Sequence, residues 1–203
     1  MANKLSITIG RQYGSGGREI GEMIAKELDV PFYDQNLITL AAEKSNLCHE
    51  AAAEADERNA NSLLYTLAMG STAMLHSTHY NMPINDKLFL VQSDIIKEAA
   101  QKGSCVVVGR CADYVLRDRT DVISVFIHAD ANIRAKHVAE RNGITESEAF
   151  SLISKTDRRR ANYYNFYTGK RWGETNQYDL CVDAGKIGLE NAAKLIVAYA
   201  KMV

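Results

Sequence analysis

The sequence predicts an α/β fold in which a five-stranded parallel sheet carries helices on both faces. Short strand-like runs alternate with longer helical stretches, a pattern typical of parallel strands joined by crossover helices. Two runs, Cys105–Gly109 and Val122–Ile127, are almost continuously apolar, as expected where both faces of a strand are covered. The chain has 203 residues and 46% apolar content, which is enough for one core. We therefore predict a single three-layer domain over residues 1–203.

The strands and the first helix follow from the spacing of apolar residues. Strands are predicted at Leu5–Ile9, Val30–Tyr33, Ser104–Val108, Asp121–His128 and Tyr178–Val182. Ile20, Ile24 and Leu28 fall at helical spacing directly after the first strand and its loop, and they describe one apolar face. The first strand is therefore followed by a helix, as in a strand–loop–helix unit.

Capping signals predict the later helices. One helix is expected to be capped by Asn85 or Asp86 and to run toward Gln101, with Gly103 just beyond its end. Further helix starts are predicted at the Asp130 cap, at the capping box Thr145–Glu148 and at Leu189. The segment of about 35–82 is rich in Ala, Glu and Asn with apolar residues at helical intervals, so it is predicted as a helical insertion. The core is then 1–34 and 83–203.

A glycine-rich loop, Gly10–Gly21, connects the first strand to the first helix. Glycines allow positive φ and let the backbone come close to a ligand. The helix N-terminus behind the loop leaves unpaired N–H groups and a partial positive charge, which together suit phosphate. The loop therefore predicts a phosphate cradle, and the alternative is a glycine-rich turn without a ligand. The residues assigned to the cradle are Tyr13, Gly14, Ser15, Gly16, Gly17 and Arg18.

The loop departs from the common phosphate-binding pattern G-x-x-x-x-G-K-[ST] at three positions. Arg11 stands where the pattern has its leading glycine, Gly17 where it has lysine, and Arg18 where it has a hydroxyl. We expect Arg18 to supply the charge of the missing lysine and Ser15 to offer a hydroxyl to Mg²⁺ from another position. Mg²⁺ usually keeps several waters, so the loss of one protein ligand is compatible with its binding.

Several segments, taken in order, resemble one protein family. They are Ser6–Ile20, Pro31–Asp34, Val108–Asp113, Lys155–Tyr164 and Tyr178–Asp183. Their order and spacing resemble the cytidylate kinase-like branch of the P-loop nucleoside monophosphate kinases, over essentially the full chain. The resemblance implies a P-loop kinase fold and an enzyme that uses ATP and Mg²⁺ to phosphorylate a nucleoside monophosphate such as CMP.

The resemblance also implies roles for residues that follow the strands. Arg110 directly follows the third strand and would hold the acceptor monophosphate through a bidentate contact. Asp113, in the same Gly-Arg-x-x-Asp stretch, is assigned to the substrate as well. Asp34 would approach the acceptor nucleotide or the metal. Two alternatives remain open: an ion pair of Arg110 with Asp113 or Asp34, and a role for Asp34 as a helix cap.

The resemblance implies that the insertion of about 35–82 binds the acceptor and that an arginine-rich lid lies over about residues 155–172. Successive helical residues point about 100° apart, so Arg158–Arg160 cannot all enter one cleft. We expect Arg159 and Arg160 to act on the charge of the transferred group, with Asp157 orienting one of them. The alternative is a solvated basic helix face, against which the neighbouring aromatic residues argue.

Composition limits the other classes of function. A formal net charge of −1 argues against nucleic-acid binding over the whole surface, and the four cysteines lack metal-site spacing. Because no signal peptide and no membrane-length apolar run is present, a cytoplasmic protein with no membrane partner is expected. A homodimer through the lid or the insertion stays open. So does a non-catalytic nucleotide-binding or regulatory protein, because the loop lacks its lysine and hydroxyl.

Overall fold

The middle layer of the structure is a five-stranded parallel sheet with the strand order β2-β3-β1-β4-β5. The computed structural model describes residues 4–34 and 84–203. The strands are β1 (Ser6–Arg11), β2 (Phe32–Tyr33), β3 (Val106–Val108), β4 (Val122–His128) and β5 (Leu180–Asp183). The predicted α/β fold with a five-stranded parallel sheet is confirmed, although β2 and β3 are shorter than the apolar runs suggested.

Helices cover both faces of this sheet. They are α1 (Gly17–Leu28), α2 (Ile84–Lys102), α3 (Ala112–Val115), α4 (Ala131–Asn142), α5 (Glu146–Thr168), α6 (Ala184–Ile187) and α7 (Leu189–Ala200). Asp130 accepts a hydrogen bond from the Asn132 amide, and Thr145 and Glu148 form a reciprocal capping box, as predicted. The predicted cap at Asn85 or Asp86 is wrong, because both residues already lie inside the first turn of α2.

The larger core lies between the sheet and the helices α1 and α7. It is built from the inward side chains of alternate strand residues, such as Ile7 and Ile9 of β1, and from one apolar face of each helix. Ile24 of α1 and Ile196 of α7 are fully buried in it. Burial of this face holds α1 against the sheet and thereby fixes the position of the loop that precedes it.

The opposite face of the sheet is covered by α2 and α3. Leu88 and Ile96 of α2 are buried against Val107 of β3. Beyond the sheet, α4 and α5 pack against one another through Ala135, Val138, Ala149 and Ile153, with Tyr13 of the glycine-rich loop packed against them. The two covered faces and this helix pair leave the carboxyl ends of the strands as the edge where loops meet.

The carboxyl edge of the sheet gathers the functional candidates. Because all strands are parallel, the residues that end or follow them meet at one edge. Arg11 ends β1, Asp34 follows β2, and Gly109 and Arg110 follow β3. On the other side of the sheet, Asp183 ends β5 and caps α6. The fold therefore places these residues together, although most are far apart in sequence.

The helical insertion predicted over about 35–82 lies outside the described residues. The predicted lid of about 155–172 coincides with the second half of α5 and the turn after it. Among the helices in the described part of the chain, none has both the length and the apolar content needed to cross a bilayer.

The packing of α7 predicts that truncating Ile196 destabilises the protein much more than truncating the neighbouring Leu195. We expect Ile196→Ala to lower the free energy of unfolding by about 2–5 kcal/mol, since a fully buried isoleucine leaves a cavity. The matched control is Leu195→Ala on the same helix, where the side chain is 46% exposed; its loss should stay below about 1 kcal/mol. Urea denaturation measures both, and equal losses would contradict the assigned face of α7.

Candidate active site

Two glycines give the loop between β1 and α1 its shape. Gly14 and Gly16 both have φ near 79°, in the left-handed region that other residues rarely adopt. Gly16 is also the N-cap of α1, and a Cβ there would collide with Leu189 of α7. Because no side chain caps α1 at this end, its first-turn amides are available to a ligand. The loop therefore has the geometry of an anion cradle.

Hydrogen bonds anchor the loop to the end of β4. The Ser15 hydroxyl is buried and lies 2.9 Å from the Gln12 carbonyl oxygen and 3.3 Å from that of Ile127. The Gln12 amide donates to the Ile127 carbonyl at 3.0 Å, and the Gln12 side-chain oxygen accepts from the Ala129 amide at 3.2 Å. The hydroxyl that was predicted to face Mg²⁺ therefore points at backbone carbonyls in this structure.

A carboxylate–guanidinium pair ties the loop to α4 and α5. Asp157 of α5 accepts from the Tyr13 amide at 2.7 Å with one oxygen and from Arg134 of α4 at 2.6 Å with the other. Arg134 also donates to the carbonyls of Tyr13 and Ala129, both at 3.1 Å. The expectation that Asp157 orients a neighbouring lid arginine is therefore corrected: α4 packs beside α5 and brings Arg134 to it.

The three consecutive arginines of α5 take different environments. Arg158 is exposed, whereas Arg159 and Arg160 are partly buried. Arg160 donates to the Arg11 carbonyl at 3.2 Å, and its guanidinium lies over the Tyr13 ring at 5.4 Å from the ring centroid. Arg160 thus contacts the loop at its β1 end, at Arg11 and Tyr13.

Arg18 and Asp34 form a pair on the β2 side of the loop. The Arg18 Nε donates to an Asp34 oxygen at 2.8 Å, and another nitrogen of Arg18 lies 2.8 Å from Glu22. The Arg18 side chain is 51% exposed, and the second Asp34 oxygen lies 4.0 Å from Arg11. The charge of Arg18 therefore faces two carboxylates. Its predicted role as the substitute for the missing lysine stays a prediction.

The turn after β3 holds Arg110 in a strained backbone conformation. Gly109, Arg110 and Cys111 have φ values of 82°, 57° and 54°. The Ala112 amide donates to the Gly109 carbonyl at 3.1 Å and closes the turn. Non-glycine residues in this region cost about 1–2 kcal/mol each, and such strain persists where the surroundings over-determine it. The turn therefore fixes where the Arg110 side chain leaves the backbone.

A cavity at the carboxyl edge brings several of these groups together. Its lining includes Arg11, Arg110, Asp113, Arg160, Tyr164 and Tyr178. Of the predicted catalytic and substrate residues, the structure thus brings Arg110, Asp113 and Arg160 to one concave surface. The other four predicted residues, Arg18, Asp34, Asp157 and Arg159, are not part of that lining. A concave site rich in guanidinium groups suits a multiply charged anion.

A second cavity, of about 330 Å³, lies on the other side of the loop. Gly14 and Ser15 border it, together with Ile133 and His137 of α4 and Leu189 of α7. Its volume is at the lower end of the range for small-molecule sites. The glycine-rich loop therefore lies between two cavities, one lined by arginines and one lined by mixed apolar and polar groups.

Asp113 is held by a tyrosine in the first cavity. The Tyr164 hydroxyl donates to an Asp113 oxygen at 2.6 Å. Burial raises the pKa of Asp113 above its ordinary value, although the Tyr164 hydrogen bond opposes the shift. Burial and the nearby carboxylate likewise raise the pKa of Tyr164. At a given pH, Asp113 is therefore protonated to a greater extent than an exposed aspartate would be.

Sequence reasoning did not identify Arg11 or Arg134 as functional. Arg11 ends a buried strand, so the rule that pointed to Arg110 after β3 applies equally to it. Arg134 lies one turn into α4, and its partner Asp157 is 23 residues away on another helix. Arg11 could therefore have been found from the sequence, whereas the role of Arg134 depends on how α4 packs against α5.

The chain matches the model of the cytidylate kinase-like family over residues 6–186. A cytidylate kinase from Pyrococcus horikoshii is 30% identical to it over 102 residues, which are 50% of this chain and 52% of that protein. The chain thus spans about half the length of the curated relatives it matches.

Solved structures share the fold over nearly the whole chain. The crystal structure of an uncharacterized protein from Eubacterium ventriosum is 28% identical, has a TM-score of 0.74, and is matched over 98% of this chain and 99% of that one. A shikimate kinase from Bacteroides thetaiotaomicron is 14% identical with a TM-score of 0.55, over 97% and 98% of the two chains. At that identity the similarity shows the fold alone.

The Asp157 contacts predict a measurable stability difference. We expect Asp157→Ala to lower the free energy of unfolding by about 2–4 kcal/mol, because it leaves the largely buried Arg134 cation and the Tyr13 amide without their acceptor. The control is Glu19→Ala, which breaks an exposed pair with Arg141 and should cost less than about 1 kcal/mol. Similar losses in the two variants, measured by urea denaturation, would contradict the assigned importance of the buried pair.

The raised pKa of Asp113 predicts a pH-dependent stability difference. Its proton stabilises the folded state below the ordinary carboxyl pKa of about 3.9, and this contribution is lost as pH rises through the folded-state pKa. The unfolding free energy of Asp113→Asn relative to wild type should therefore increase from pH 4 upward. The opposite slope is expected for Glu148→Gln, and only below the ordinary glutamate pKa of about 4.3, because Thr145 lowers the Glu148 pKa. Urea titrations between about pH 2.5 and 8 test both slopes. A flat difference for Asp113→Asn above pH 4 would refute the idea.

Proposed function

Because the chain belongs to the cytidylate kinase-like family, we propose that it transfers the γ-phosphoryl group of ATP to a nucleoside monophosphate such as CMP. The observation that carries the proposal is the meeting of a glycine cradle with a cavity lined by arginines at one edge of the sheet. In the reaction, an acceptor phosphate oxygen bonds to the γ-phosphorus and the β–γ bridging oxygen leaves with ADP. Such a transfer depends on positioning and charge neutralisation more than on covalent catalysis.

The donor would occupy the glycine-rich loop. Its phosphates would accept hydrogen bonds from the loop and first-turn amides between Gly14 and Arg18, where the helix end favours negative charge. The Tyr13 amide, which was predicted to belong to this cradle, donates to Asp157 instead. The cavity of about 330 Å³ beside Gly14 and Ser15 has room for the nucleoside part. Asp157 and Arg134 would act as positioning residues, since they hold the Tyr13 peptide from both sides.

The phosphate of the acceptor would enter the first cavity, whose volume of about 40 Å³ is too small for a whole nucleotide. Arg110 is proposed to hold the acceptor phosphate, because it lines the cavity and its backbone position is fixed by the turn after β3. Asp113 lies in the same lining and is proposed to contact the acceptor. Asp34, at the end of β2, is proposed to lie at the acceptor or metal side of the loop. The choice of base depends on the segment of about 35–82, so CMP follows from the family resemblance.

The lid arginines are proposed to neutralise the transferred group. Arg160 already contacts the loop through the Arg11 carbonyl and lines the cavity. Arg159, next to it on α5, and Arg18, at the start of α1, are proposed to add charge from the two sides. Fixed cations in a closed site stabilise developing charge more strongly than they do in water.

Magnesium is expected together with ATP, since it would neutralise charge on the phosphates. Among the residues that the structure describes, no group of three His, Cys, Asp or Glu side chains could hold a metal. The residues present fit an ion held mainly by phosphates and water, as Mg²⁺ accepts, with Asp34 as the carboxylate at the loop. The Ser15 hydroxyl hydrogen-bonds backbone carbonyls here, and its role as a ligand stays a prediction.

One alternative has its own support. A nucleotide-binding or regulatory protein without efficient transfer would also keep the glycine cradle. Gly17 and Arg18 stand where the common loop has lysine and a hydroxyl, and Arg18 faces two carboxylates. This alternative predicts ATP binding without acceptor-dependent turnover.

ADP formation from Mg-ATP, with CMP, dCMP, UMP, AMP and GMP as separate acceptors, tests the proposal. We expect acceptor-dependent turnover with one clear preference. Arg110→Ala and Arg159→Ala should each lower it by about 100-fold without changing the unfolding midpoint, because each removes a cation from the closed complex. Arg117→Ala is the control, since that exposed arginine stacks on Tyr114 and contacts neither cavity. ATP binding without acceptor-dependent ADP formation would favour the non-catalytic alternative.

A further inference from the structure

Two of the loop's departures from the common pattern are reciprocal. The pattern G-x-x-x-x-G-K has glycine at its first position and a cation at its last. In this chain the first position is Arg11 and the last is Gly17, so a glycine and a cation have changed places. Position 11 lacks the glycine of the pattern and position 17 lacks its cation, but the two positions together still supply one cation and one glycine.

The structure gives a physical reason for this exchange. A Cβ added at Gly17 would lie 2.5 Å from the Arg11 Cβ and 2.9 Å from its Cγ. Gly17 is the first helical residue of α1 and is not among the glycines with positive φ, so its backbone does not require glycine. The missing side chain at position 17 is instead required by space, because the stem of Arg11 crosses that point.

The guanidinium of Arg11 then reaches the arginine-lined cavity. A Cβ at Gly109, after β3, would collide with the Arg11 Nη1, so the head group lies directly against that glycine. Arg11 lines the cavity together with Arg110 and Arg160. Two glycines, one on each side, thus accommodate a single arginine side chain along its length.

Arg18, the other candidate for the missing charge, has a different setting. Its side chain is 51% exposed and faces Asp34 and Glu22, both at 2.8 Å. The Arg11 side chain is 19% exposed, and its recorded distance to Asp34 is 4.0 Å. A more buried cation interacts more strongly with a phosphate, because less water screens the interaction.

We propose that Arg11, placed over Gly17 and against Gly109, is the residue that binds the terminal phosphates of a polyphosphate in place of the loop lysine. The inference rests on the proposed use of the loop as a phosphate cradle, and it names a binding residue that the pattern itself assigns to a glycine. A guanidinium suits this position because it offers a planar fork of donors to phosphate oxygens.

Binding of inorganic tripolyphosphate and of ATP, measured by isothermal titration calorimetry, tests the inference without requiring turnover. Arg11→Met keeps an unbranched stem over Gly17 and removes the charge. We expect it to weaken tripolyphosphate binding by about 10- to 100-fold, the usual range for a charge-assisted contact. Arg18→Met should have a smaller effect, and Arg117→Met controls for the loss of a remote positive charge. A loss in Arg18→Met that equals or exceeds that in Arg11→Met would overturn the inference.

A swap of the two positions gives a sharper test. Gly17→Lys alone should lower both the unfolding midpoint and tripolyphosphate affinity, because its Cβ meets the Arg11 stem. Arg11→Gly alone should bind weakly because the cation is missing. The double variant Arg11→Gly/Gly17→Lys restores the common pattern and should bind at least tenfold more tightly than Arg11→Gly. A double variant that binds no better than Arg11→Gly would overturn the inference.

The outcomes separate this inference from the proposed function. If Arg11→Met loses affinity while the wild type shows no acceptor-dependent ADP formation, Arg11 is the binding cation and the kinase proposal fails. If the wild type turns over and Arg11→Met binds tripolyphosphate as tightly as the wild type does, the kinase proposal stands and the Arg11 inference fails. A wild type that binds neither tripolyphosphate nor ATP would overturn the Arg11 inference directly.

Discussion

The contact on which the site most depends is the carboxylate of Asp157, which joins three separate segments. One oxygen accepts from the Tyr13 amide in the loop, and the other pairs with Arg134 of α4, while the residue itself belongs to α5. Both side chains are largely withdrawn from water, so their attraction is weakly screened. Arg134 also donates to the Tyr13 carbonyl, and Arg160 donates to the Arg11 carbonyl, so Asp157 belongs to a small polar network between these segments. This network fixes the orientation of the Tyr13 peptide, which apolar packing alone would not do because it is non-directional.

The apolar core and the charged side chains have separate roles around this contact. The apolar layers hold β1 and α1, and the loop between them inherits their positions. Long cationic side chains then extend from three places, the end of β1, the turn after β3 and the middle of α5, toward one cavity. Burying positive charge is costly unless acceptors or anions compensate it, and the Arg11 carbonyl and the Asp34 carboxylate are two of the groups that do so here.

The sheet and its helices were predictable, because apolar periodicity and caps are local signals. The glycine cradle and Arg110 were predictable for the same reason, since each directly follows a buried strand. The partner of Asp157 was not, because Arg134 meets it through helix packing. The different surroundings of Arg11 and Arg18 could not be predicted either, because both are arginines in the same loop. Only the structure shows that the Arg11 side chain runs past Gly17 and Gly109. The predicted cap of α2 at Asn85 or Asp86 was wrong because the helix already includes Ile84.

The steric contact between positions 11 and 17 also constrains how such a loop can change over generations. A lineage that moves between the lysine form and this arginine form must replace two codons. One order passes through a chain with both cations, in which a Cβ at position 17 would lie 2.5 Å from that of Arg11. The other order passes through a chain with neither cation. With the role proposed for Arg11, the first intermediate is crowded and the second lacks its phosphate-binding cation, so the two positions are expected to change together.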